Sequence, residues 1–167
     1  MAVKRSLALY LQGHFAGSEA AVRSVKEQAT SDPGTDLGRF LGRLAEEIAE
    51  DQASLRDVMA RLATAPSRTK NLAALLSATV GRWTLRAHAP GEPQAGLIGL
   101  ESLSLGIEGK AGLWRALREV AAIDPRLGDV DFDELIKRAQ LQREQLEPHR
   151  LDAARQANGN GRAHVDG

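Results

Sequence analysis

The sequence predicts an all-α fold, a four-helix bundle with an additional crossover helix. Three observations carry that expectation. In Asp36 to Ala63 the apolar residues are Leu37, Phe40, Leu41, Leu44, Ile48, Leu55, Val58, Met59 and Leu62. Steps of three and four mark one buried face of a helix. Breakers at Asp32-Pro33-Gly34, Ala65-Pro66-Ser67, Pro90-Gly91-Glu92-Pro93 and Asp124-Pro125 divide the chain into long stretches without internal turn signals. The composition is 43% hydrophobic but only 4% aromatic, which suits a core of Leu, Ala, Ile and Val in helices.

The elements follow in order. The first helix is expected over 3–29, with a seam of Val3, Leu7, Tyr10, Leu11, His14, Ser18, Ala21, Val22 and Val25. The second is expected over 36–63, capped by Thr35 or Asp36, whose short oxygen-bearing side chains accept from the first free N–H groups. A third stretch over 69–87 carries the stripe Leu72, Leu75, Leu76, Thr79, Val80 and Trp83. The helix expected over 95–123 is apolar on nearly every side. Its four glycines, Gly99, Gly106, Gly109 and Gly112, suggest close approach of neighbouring helices. The last helix, 131–157, opens on Asp131 with Glu134 three residues on. Pro148 should kink it or mark an early end. Residues 158–167 read as a disordered polar tail.

Short turns make the first pair of helices antiparallel, and likewise the last pair. Residues 64–94 are too many for a turn. A helix of about 19 residues there spans roughly 28 Å and can return the chain to its starting end. Helix two and the 95–123 helix then run parallel. In helix pattern and topology the chain resembles the ferritin-like superfamily over about residues 3 to 157. That resemblance implies a bundle with a long crossover and, in the di-iron members, one Glu on each of two helices and Glu-x-x-His on each of the other two. This chain has no Glu-x-x-His. It offers Glu47-Ile48-Ala49-Glu50 and Asp51 on one helix, and Glu144-Gln145-Leu146-Glu147 with His149 on another. It reads as a divergent member.

Within the seams, some core positions are polar. A step on from Leu44 and Ile48 falls on Asp51, with Glu47 on the flank. Burying an unpaired carboxylate is costly, so Asp51 requires a partner. A hairpin turning near residues 30 to 35 would set His14 opposite Asp51 and Ser18 opposite Glu47. In the second pair Glu108 would lie within a turn of Arg143 and Arg150. The expected polar layer is therefore His14, Ser18, Glu47, Asp51, Glu108, Arg143 and Arg150, with Glu101, Ser104, Gln142 and His149 as further contributors. One reading is a buried, salt-bridged layer in which the arginines neutralise the carboxylates. The alternative is an iron or manganese site drawn from Glu47, Asp51, Glu108 and His14.

Lys plus Arg and Asp plus Glu are 22 each, so the formal net charge is zero. That balance excludes the basic footprint of a nucleic-acid binder. The absence of cysteine removes disulfides, thiolate metal sites and cysteine nucleophiles. The apolar run Leu72 to Val80 is too short to span a membrane. No secretion signal is read at the N-terminus, and the expected compartment is the cytoplasm. Gly106-Ile107-Glu108-Gly109-Lys110 lacks the spacing of a phosphate loop. The functional expectation is a non-catalytic interaction or scaffold protein without a cofactor, forming a homodimer through the surplus apolar face of 95–117. Metal-dependent oxidoreduction or metal handling is the alternative, and a small-ligand carrier a third reading.

Overall fold

The computed structural model describes residues 2–31, 33–64 and 93–162, without the side chains of 2–4, 93–95 and 159–162. The described residues form four long helices: α1 (Ala2–Ser31), α2 (Asp36–Arg61), α3 (Pro93–Ala121) and α4 (Phe132–Arg162). A short 3-10 turn, Pro125–Leu127, stands between α3 and α4. The helix expected at 69–87 lies outside the described residues. Among those described, no helix is long and apolar enough to cross a membrane.

Local chemistry explains most boundaries. The Thr35 hydroxyl accepts from the Gly38 N–H at 3.0 Å and starts α2. At its other end the Ala63 N–H donates to Ala60 O at 3.0 Å and the Thr64 N–H donates to Met59 O at 2.8 Å. These are the two bonds of a Schellman stop. They place Ala63 in the left-handed region, at φ 53. Asp124 caps the 3-10 turn by accepting from the Arg126 N–H at 3.2 Å. Asp131 starts α4 by accepting from the Glu134 N–H at 2.9 Å. Pro148 neither ends α4 nor shortens it. The helix runs through it to Arg162, past the boundary expected at 157.

The helices pair as two antiparallel hairpins, α1 with α2 and α3 with α4. The hairpins face each other, with α1 beside α3 and α2 beside α4. Two apolar clusters sit one above the other along the bundle. The first gathers Leu11 and Phe15, Leu55 to Leu62, Leu113 to Leu117, and Phe132 to Ile136. The second gathers Val25, Phe40 to Ile48, Leu100 to Ala111, and Ala139 and Leu146. The start of α2 thus shares an end with the start of α3, and these two helices run parallel. The chain leaves α2 at one end of the bundle and enters α3 at the other.

The glycines of α3 do not mark close helix contact among the described residues. A Cβ at Gly99 would meet Gln28 Oε1 at an ordinary 3.7 Å, and one at Gly106, Gly109 or Gly112 would meet nothing within 4 Å. Two glycine exchanges should therefore shift stability in the same direction. Gly109→Ala, on an exposed helix surface, should stabilise by up to about 1 kcal/mol through helix propensity. Ala63→Gly should stabilise by about 1 kcal/mol by relieving the left-handed residue. Urea denaturation midpoints, read by circular dichroism, check both. A loss of stability at Ala63→Gly would contradict the Schellman stop.

Candidate functional site

Between the two apolar clusters lies a polar layer to which all four helices contribute. Its centre is Asp51, 3% exposed. The 3.6-residue repeat of α2 puts it in the core between Ile48 and Leu55. One carboxylate oxygen, Oδ2, accepts from the Lys110 ammonium on α3. The other, Oδ1, accepts from the Arg138 guanidinium on α4. Arg138 also reaches Glu50 at 3.4 Å. Gln142, 1% exposed, completes the cluster. Its Oε1 accepts from Lys110 at 2.5 Å, and its Nε2 donates to Glu47 at 3.0 Å and, more weakly, to Asp51 at 3.5 Å. The amide thus turns its oxygen to the cation and its N–H groups to the carboxylates.

At the same level α1 contributes Ser18. Its hydroxyl accepts from Gln52 Nε2 at 3.1 Å and donates to Phe15 O at 2.7 Å. Burial pulls the Lys110 amine below its ordinary value, while the nearby Asp51 carboxylate opposes that shift. The layer carries costs as well. The Arg138 Nε atom in the layer, and the Trp114 Nε1 atom in the first apolar cluster, are buried with no hydrogen-bond partner among the described residues. Each orphaned donor costs about 1–3 kcal/mol.

The expected pairing of His14 with Asp51 is corrected by this geometry. Asp51 is held by Lys110, Arg138 and Gln142. His14 instead packs edge-on against Tyr10, with ring centroids 4.7 Å apart. The register explains the difference. α1 continues to Ser31, which moves the hairpin turn toward α2. Ser18 therefore faces Gln52 rather than Glu47, and Arg56 lies over the Phe15 ring at 5.2 Å. His14 is carried more than one turn away from the level of Asp51.

The second hairpin places its charges differently. Glu108 pairs with Arg143 and, at 2.5 Å, with Arg115. Arg150 pairs with Glu147 at 2.7 Å and Glu101 at 3.3 Å. The Glu108 contacts lie on the outer surface of α3 and α4, where Glu108 is 42% exposed, whereas Arg150 is partly buried. The Arg115 guanidinium, and then Arg143, hold the Glu108 carboxyl below its usual range. Such exposed pairs contribute only about 0–1 kcal/mol each. Glu108 and Arg143 therefore stand outside the buried layer, and the partly buried Arg150 is held by Glu147 and Glu101 instead of by Asp51 or Gln142. His149 stacks on Phe40, with centroids 4.7 Å apart.

The candidate iron or manganese ligands are not brought together. Glu47 and Asp51 lie one turn apart on α2, Glu108 faces arginines on the outer surface, and His14 lies against Tyr10. Among the described residues no group of three or more His, Asp or Glu side chains could hold a metal ion. Sequence reasoning missed Lys110 and Arg138. Each has a phase signal: Lys110 is three residues after Ile107 and four before Trp114, and Arg138 is three after Leu135 and four before Gln142. Both are in step with the core.

Three variants probe the layer. Asp51→Ala leaves Lys110 and Arg138 without their shared anion and should destabilise by roughly 3–5 kcal/mol. Replacing Asp51, Lys110 and Arg138 together by Leu, Met and Met should be milder than Asp51→Ala, because neither cation is left beside an absent Asp51 carboxylate. A double-mutant cycle should couple Asp51 to Lys110 by about 0.5–3 kcal/mol, and Asp51 to His14 by less than about 0.5 kcal/mol. Strong Asp51–His14 coupling in urea titrations would overturn the assignment of partners.

His14 has a separate signature. Burial holds its imidazole below the ordinary 6.5. As pH falls through that value the unfolded chain takes up a proton that the folded chain refuses, so folding loses stability. The loss begins at the unfolded value and ends at the folded one. As pH falls below about 6.5 the wild type should lose stability that His14→Gln retains. Proton NMR should show the His14 ring titrating below pH 6.5, and a ring titrating above 6.5 would contradict its burial.

Compared with known proteins, the chain matches no family model, no curated protein and no solved structure.

Proposed function

We propose that this protein is a non-catalytic bundle of ferritin-like type that acts as an interaction or scaffold protein and assembles as a homodimer. In this reading the mid-bundle layer is a salt bridge rather than a metal centre. The observation that carries it is the state of Asp51: both carboxylate oxygens face cations supplied by the chain itself. A divalent ion would have to displace the Lys110 ammonium and the Arg138 guanidinium from those oxygens, and would leave the largely buried Lys110 without its anion at several kcal/mol. The ferritin-like part of the proposal is supported by the two antiparallel hairpins, the parallel run of α2 and α3, and a connection long enough to cross the bundle.

The scaffold reading also draws on exposed apolar side chains on three helices. Leu9 is 49% exposed on α1, Leu105 63% on α3, and Leu141 49% on α4. Scattered singly such residues are ordinary, but they provide apolar area for a partner.

Two measurements test the proposal. Protein purified without chelators should contain iron, manganese and zinc well below one ion per chain. Stoichiometric metal would replace the salt-bridge reading with the metal alternative. Size-exclusion chromatography with light scattering should give twice the mass of the 17.9 kDa chain. A strict monomer would remove the dimer while leaving the salt-bridged layer intact.

A further inference from the structure

We draw no further inference here: the strongest candidate, the carboxylate-rich groove of about 410 Å³ between the C-terminal half of α2 and the start of α4, shows nothing that points to a ligand, since its cations Arg61 and Arg138 are already paired with carboxylates of the chain.

Discussion

The buried carboxylate of Asp51 is the constraint on which the middle of the bundle depends. A charge in that position cannot be left alone, because removing an unpaired carboxylate from water costs far more than one side chain contributes elsewhere. Lys110 and Arg138 meet the requirement from different helices of the opposite hairpin. The contact therefore ties α2 to α3 and α4 at one height. Sliding α4 by a single turn would move Arg138 by about 5.4 Å and break the bond. Apolar contacts above and below the layer are far less selective, since one leucine can replace another across a seam. The polar layer thus sets the axial register between the hairpins, while the apolar clusters supply most of the burial.

Charge compensation also shapes what the layer can do. Around Asp51 stand two cations, two further carboxylates (Glu47 and Glu50) and the Gln142 amide. Every oxygen of Asp51 has a donor, and Gln142 is satisfied at both its oxygen and its nitrogen. A metal needs carboxylate oxygens free to coordinate it. Both oxygens of Asp51 are instead occupied by the chain's own cations. The outer pairs of Glu108 with Arg115 and Arg143 repeat the pattern on α3 and α4 at the surface. There they are solvated and contribute little to stability.

Much of the bundle is legible before any coordinates. The 3.6-residue rhythm of Phe40, Leu41, Leu44, Ile48 and Leu55 identifies the buried face of α2 and marks Asp51 as its exception. Thr35 and Asp131 announce helix starts through their side-chain oxygens. Cross-helix opposition of Glu108 to Arg143 follows from the short connection between α3 and α4. The stop at Ala63 is less legible, because glycine usually takes that conformation and nothing in the side chain signals it. The extension of α4 beyond 157 to Arg162 is also hidden, since Asn158-Gly159-Asn160-Gly161 reads by composition as a polar tail.

Sequence alone was enough to determine the helices of the described residues, the faces that turn inward, and the need of Asp51 for a partner. These depend on periodicity and on the energetics of a single residue, both local properties. Which groups answer Asp51 was decided by the tertiary structure alone. A shift of the α1–α2 turn by a few residues carries His14 past Asp51 and brings Ser18 to Gln52. Lys110 and Arg138 look like surface residues in one dimension because long basic side chains usually extend to water. Lys110 and Arg138 stand 59 and 87 residues from Asp51 along the chain, and their location beside it depends on how the two hairpins face each other. No local rule encodes that distance, and only the packing of the hairpins sets it.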